Sequence, residues 1–258
     1  MATYTMGSVA LVGTNRSGDI KPDEKGWYDV YLGALNFPNS VGAEYDVEPV
    51  RQLLMNDSII ARRIAKGRLF GELGHPRQLP GMTDKEYIAR LLDLNEQCEV
   101  FTIKTITIDT SAKDKHGRPI IALRGLIKPS GPYRDVLQQK LDDPDINVNF
   151  SIRTLAQNYY QNGKLRKRVG NFITVDLVGE PGIDVADKYN APSTESYLVE
   201  VDGDTILSVA QNARSYGLES SKDAMRDIVS FVNETSHVNN NLQKPTLMKN
   251  VPAWVGKY

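Results

Sequence analysis

Two long runs rich in β-branched and aromatic residues, NVNFSIRTLA at 147–156 and LRKRVGNFITVDLVG at 165–179, flank the turn YQNGK. Strands of that length and composition need partner strands and an apolar layer to cover them, so they commit this part of the chain to sheet structure. The second run is interrupted near Gly170 and carries an aspartate, Asp176, inside an otherwise hydrophobic stretch. A buried carboxylate is costly unless it accepts hydrogen bonds or meets a positive group.

The rest of the chain supplies more strands and several helices. EVFTIKTITIDTSA at 99–112 alternates imperfectly, which predicts an edge or half-buried strand, and KDKHGRP then turns the chain toward IIALRGLIKP, a segment able to run antiparallel to it. VRQLLMNDSIIARRI at 50–64 has near-helical apolar spacing broken by NDS, predicting one or two short helices. MTDKEYIARLLDLNE offers Thr83 as N-cap with Glu86 three residues on, and YRDVLQQKLDD presents Val136, Leu137 and Leu141 on one face. The opening, through EYDVEP at 44–49, reads as short strands with long loops. Beyond the turn-rich 180–196, two helices follow, the second with Ser220 as cap and a stripe of Met225, Ile228 and Val232. The order is α+β, without the strict strand–helix alternation of a doubly wound sheet.

With 258 residues, 40% of them hydrophobic, the chain can bury a sizeable core. Thirty-one basic and 32 acidic residues leave a net charge of -1, so no global field draws it to nucleic acid or an anionic membrane. No apolar run reaches the roughly 20 residues that cross a bilayer, and the N-terminus lacks a secretory signal, so a cytoplasmic setting is expected. One cysteine, Cys98, and three scattered histidines give no zinc spacing, and the phosphate-loop, dinucleotide, zinc-protease and G-x-S-x-G patterns are absent. The expectation is an enzyme with no cofactor and no metal, whose chemistry rests on a side-chain nucleophile and a base.

Among the histidines, His116 belongs to a glycine–proline turn and His237 to an asparagine-rich tail. His75, in GRLFGELGHP, follows apolar residues, with Gly74 permitting close backbone approach and Pro76 restricting its conformation. By itself that leaves a working residue and a turn or core histidine both open. In NVNFSIRT, a strand period puts Asn149, Ser151 and Arg153 on one polar face and Phe150 and Ile152 toward the core, which suits a displayed nucleophile or a plain solvent-facing strand. Asp176 is a candidate to orient a histidine, with Asp184 and Glu72 as alternatives.

Taken together, GRLFGELGHP, NFSIRT and ITVDLVGEP resemble the prohead core proteases of large tailed phages of the T-even type, a family similar in fold and catalytic plan to herpesvirus capsid maturation proteases. The resemblance covers roughly residues 20 to 190. It implies a herpesvirus-protease-like antiparallel β-barrel surrounded by helices, and a serine endopeptidase in which His75, Ser151 and Asp176 form the catalytic set. Arg153 and Gly170 are the candidates for supporting the oxyanion or the site.

The same resemblance implies cleavage of scaffold, major capsid and other prohead proteins after glutamate, inside the phage prohead assembled in the host cytoplasm. The basic run Lys164, Arg166, Lys167 and Arg168 could form a subsite for that glutamate, or a solvated hairpin face. Self-processing follows as an expectation, at Glu195 in STE or Glu200 in LVE. The expected organisation is a protease domain at 1–190, a linker at 191–203 and a helical region at 204–258 serving as propeptide or assembly segment. A homo-oligomer is compatible with this reading, which needs neither nucleic acid nor membrane insertion. Its main rival is a noncatalytic capsid scaffold or assembly factor with a protease-like fold.

Overall fold

A computed structural model describes residues 3–16, 20–36, 42–55, 57–113, 119–143, 146–179, 198–218 and 222–236. The chain runs β1 (Thr3–Arg16), β2 (Tyr28–Ala34), β3 (Glu44–Tyr45), α1 (Val47–Met55), α2 (Ile59–Ala65), β4 (Phe70–Glu72), α3 (Asp84–Leu92), β5 (Glu99–Asp109), β6 (Ala122–Pro129), α4 (Arg134–Asp142), β7 (Asn147–Gln161), β8 (Lys164–Val178), β9 (Leu198–Asp202), α5 (Gly203–Gln211) and α6 (Lys222–Ser236). The two long runs become the hairpin β7–β8. Its two-residue turn, Asn162–Gly163, has positive φ at both positions (52° and 75°), the backbone that matches the twist of the flanking strands and that asparagine and glycine tolerate.

The described strands form two sheets, β3-β8-β7-β1-β9 and β2-β6-β5-β4. They share one apolar layer, to which β7 and β8 send Phe150, Ile152, Phe172 and Val175 while β2, β5 and β6 send Leu32, Phe101, Ile103 and Leu123. Phe101 and Phe150 meet edge to face across it, with ring centroids 5.3 Å apart. The mixed α+β character is as expected, but the barrel is not: among the described residues neither sheet closes on itself. Physically, the sheets remain separate ladders on the side where β4 approaches β8 because the outer strands there are too short to continue pairing. β3 has two residues and β4 three, and a single bridge, Leu73 to Leu177, links the β4 side to β8. Short edge strands also limit the unpaired backbone that closure would otherwise remove.

The other face of the larger sheet lies under helices. Tyr4, Met6, Leu155 and Ile173 pack with Tyr87 and Leu91 of α3, Ile206 and Val209 of α5, and Met225, Ile228 and Val232 of α6. Covered on both sides, the stretch from Asn171 to Val178 is buried throughout, which is why its sequence reads as a continuous run rather than an alternation. The α6 stripe docks as its spacing predicts. The opening differs from expectation: β1 is a 14-residue strand pairing with both β7 and β9, not a set of short strands. Such pairing is a long-range contact that local turn signals do not report. β5 is flanked by β4 and β6 and is therefore no edge strand. Within the stretch read as a linker, Leu198–Asp202 form β9, paired antiparallel to β1.

Candidate active site

The β7–β8 register sets the site. Ser151 lies directly across from Asp176 and Arg153 across from Thr174. Cross-strand partners share a sheet face, so Ser151, Arg153 and Asp176 point the same way, toward the helical side. Beyond Thr174 the ladder shifts, pairing Thr154 with Phe172 and leaving Ile173 as an extra residue. That face is not open to solvent as the strand period suggested, since Ser151, Arg153 and Asp176 are 1%, 2% and 0% exposed.

His75 arrives on the segment that continues β4. Leu73 N–H donates to Cys98 O and Gly74 N–H to Leu177 O at 2.7 Å, the glycine holding φ at +72°. On the far side Pro76 is buried, and its carbonyl accepts from the Tyr87 hydroxyl of α3 at 3.1 Å. The turn is thus tied to β8 before the histidine and to α3 after it. The ring is placed with Nδ1 2.8 Å from Asp176 Oδ2.

Asp176 also accepts from Arg153, Nε to Oδ2 at 3.0 Å and Nη2 to Oδ1 at 2.8 Å, and from the Glu72 backbone N–H at 3.4 Å. Burial alone would raise its pKa, but the Arg153 charge together with the His75 and Arg153 hydrogen bonds outweighs it and holds the carboxyl below its ordinary value. An ionised Asp176 can only accept, so His75 Nδ1 is the donor and the neutral ring carries its lone pair on Nε2. Chemically, a histidine in this tautomer presents an acceptor nitrogen, and a serine stands on the strand position opposite its carboxylate partner.

Arg153 is not displayed toward a substrate. Besides Asp176 it meets Glu72 Oε1 at 3.2 Å and donates to Asp93 O at 3.0 Å. Burial would lower its pKa, yet the two carboxylates more than reverse this and raise it. Glu72, 1% exposed, is engaged by Arg90 at both oxygens and by Asn95 N–H at 2.8 Å, so it is not the carboxylate that meets His75. Arg90 and Asn95 were not singled out from sequence. Arg90 sits in the last turn of an amphipathic helix, where a basic residue is commonplace.

Other expected members lie elsewhere. Gly170 faces α6, where an added Cβ would lie 2.1 Å from the Phe231 ring; it falls opposite Leu155 and Ala156, roughly 15 Å along the strand from Ser151. The basic run is farther still, with Lys167 paired to Asn158, roughly 20 Å or more away by strand rise. Lys164 and Arg166 pair with Glu44, Arg166 also with Asp46, and the Arg168 guanidinium sits 5.9 Å from the Tyr159 ring centre. Lys167 is buried. The run's closeness in sequence to Asp176 is not closeness in space, because a hairpin of this length separates its ends. Glu200 is exposed in mid-β9, while His116, Asp184, Glu195 and His237 lie outside the described residues. Among the described residues no cluster of His, Cys, Asp or Glu is arranged to hold a metal, and no helix is long and apolar enough to cross a membrane.

The profile of the Peptidase S80 family matches residues 6–241. The capsid maturation protease of Pseudomonas phage phiKZ is 33% identical over 211 residues, 79% of this chain and 77% of that one. The solved bacteriophage T4 capsid assembly protease aligns with 69% of this chain and 98% of its own at a TM-score of 0.44 and 10% identity, a likeness too distant to bear on the site. A match across nearly the whole chain, with a relative at one-third identity, establishes that the chain belongs to the Peptidase S80 family and is by membership a peptidase.

Proposed function

We propose that the chain is a serine endopeptidase of phage capsid maturation, with Ser151 as nucleophile, His75 as general base and Asp176 as the carboxylate that orients it. What supports this is the 2.8 Å Nδ1–Oδ2 contact, made by an aspartate standing across the ladder from the serine. His75 takes the Ser151 proton as the hydroxyl attacks the scissile carbonyl, and returns a proton to the leaving amine. Water then repeats the sequence on the acyl-enzyme and releases the acid. Asp176 stays ionised throughout and stabilises the imidazolium. Arg153 acts behind Asp176, fixing its orientation and charge, rather than on the oxyanion.

The substrates proposed are scaffold, major capsid and other prohead proteins cut after glutamate within the prohead, in keeping with the capsid maturation protease of phage phiKZ. Self-processing is proposed at Glu195 or Glu200. Glu200 sits in a paired strand, so that bond becomes a substrate only when β9 leaves β1, because a protease cleft takes an extended, unpaired segment. Ser151 is buried as well, which suits a precursor whose cleft opens on activation.

Cleavage of a prohead scaffold protein by the intact chain, compared with Ser151→Ala and His75→Ala, tests the assignment. Both variants are expected to lose activity by at least about 10³-fold. Full cleavage by both rejects Ser151 as nucleophile and His75 as base, and no cleavage by any form favours the noncatalytic assembly reading.

A further inference from the structure

The buried charges behind His75 alternate in sign. Asp176 bonds to Arg153, Arg153 to Glu72, and Glu72 to Arg90, whose side chain is 22% exposed on α3. Asp93 follows α3, and Arg63 of α2 donates to Ile173 O at 3.4 Å while sensing the charges of Asp93 and Arg153. Three carboxylates and three guanidiniums, contributed by α2, β4, α3 and its C-terminal cap, β7 and β8, therefore surround the site among the described residues.

We propose that Glu72 is a positioning residue that fixes the pH at which His75 accepts a proton, by offsetting the charge of Arg153. This rests on the general-base role assigned to His75. Arg153 Nε and His75 Nδ1 share one oxygen, Asp176 Oδ2. A guanidinium on that oxygen withdraws the negative charge that stabilises an imidazolium, so Arg153 acting alone would make His75 surrender its proton at lower pH. Glu72 meets the Nη2 of the same guanidinium, the nitrogen that donates to Asp176 Oδ1, and restores negative charge. With Glu72 and Arg153 1% and 2% exposed, solvent screens this effect little. Glu72 is held there independently of His75, by the Asn95 N–H and by Arg90. Arg90 opposes Glu72, more weakly because water reaches it.

The signs make the idea testable. Glu72→Gln keeps the volume and removes the charge; the His75 ring titration and the rising limb of the kcat/KM pH profile should both move to lower pH, by roughly one unit. Arg90→Gln strengthens the uncompensated Glu72 charge and should move both to higher pH by a smaller amount. The double variant should return near wild type. NMR titration of the His75 ring, assigned with a His75→Gln control, is measured beside the cleavage profile. Opposite movements are not produced by loosened packing. Single-variant shifts in the same direction, or no shift in folded protein, overturn the proposal. If Glu72→Gln does not fold, the sign of the Arg90→Gln shift decides alone. NMR shifts of the expected signs in a chain that cleaves nothing would keep the charge effect and remove the catalytic reading. Unmoved titrations with cleavage abolished by Ser151→Ala would do the reverse.

Discussion

Arg153 and Lys167 are both buried on the β7–β8 hairpin, 2% and 1% exposed, and they keep opposite company. Arg153 has two carboxylates and a carbonyl within hydrogen-bonding range, and its ionised form is strongly favoured. Lys167 donates to the Thr5 hydroxyl at 2.9 Å and lies 5.7 Å from the Tyr45 ring centre. Burial pushes its pKa down to about 8, only partly offset by Glu200. The same fold region therefore contains a fully compensated charge and an under-compensated one. The lesson is that basic residues in a sequence run say little about a binding subsite; what decides is whether carboxylates from distant strands converge on them.

The contrast between the two cations shows most in activity. Asp176→Asn should lower kcat by about 10⁴-fold, because the amide no longer selects the His75 tautomer; peptide cleavage on variant protein with an unchanged circular dichroism spectrum measures it. A residual rate near wild type would remove Asp176 from the orienting role. Next, Arg153→Met leaves Asp176 and Glu72 facing each other without their shared cation, and should cost about 3–5 kcal/mol in denaturant unfolding. A loss under 1 kcal/mol would mean that the network is not what holds the two carboxylates.

Lys167→Met should behave in the contrary way, neutral or stabilising at pH 7, since methionine fills similar volume without a buried charge. Its sign with pH is also distinctive. Between about 8 and the ordinary lysine value of 10.5, the unfolded chain holds a proton that the folded chain has released, so wild-type stability gains on the methionine variant as pH rises through that window, by about 1–3 kcal/mol. Parallel stability curves from pH 7 to 11 would refute the depressed lysine. Asp176 works at the other end of the scale. Its contribution is complete above the ordinary carboxylate range and is lost as pH falls through its lowered value. Smallest of all, Arg166→Gln removes partly exposed pairs with Glu44 and Asp46 and should cost about 1 kcal/mol or less, in thermal melts that shift further at low salt than at high.

Local patterns were legible where the chain solves its own problem. Thr83 and Glu86 form a reciprocal cap, Glu86 N–H to the Thr83 hydroxyl at 3.3 Å and Thr83 N–H to the Glu86 carboxylate at 2.7 Å, because both partners lie within one turn. Asn162–Gly163 makes the turn that its residue types favour. The α6 stripe finds an apolar face. Illegible were the 14-residue β1, whose partners lie more than a hundred residues away, and the separation into two sheets, which depends on how far short strands such as β3 and β4 continue to pair.

For the site, sequence alone determined the residue types and their order: a histidine between Gly74 and Pro76, a serine and an arginine two apart on one strand, and an aspartate whose burial demanded a partner. Only tertiary structure decided who that partner is. Asp176 meets His75 and Arg153, Glu72 is drawn away by Arg90, and the basic run at 164–168 is carried to the far end of the hairpin. Local backbone preferences act over a few residues, whereas a charge in a dry interior is governed by whatever lies within hydrogen-bonding reach, and strand register sets that across the whole chain.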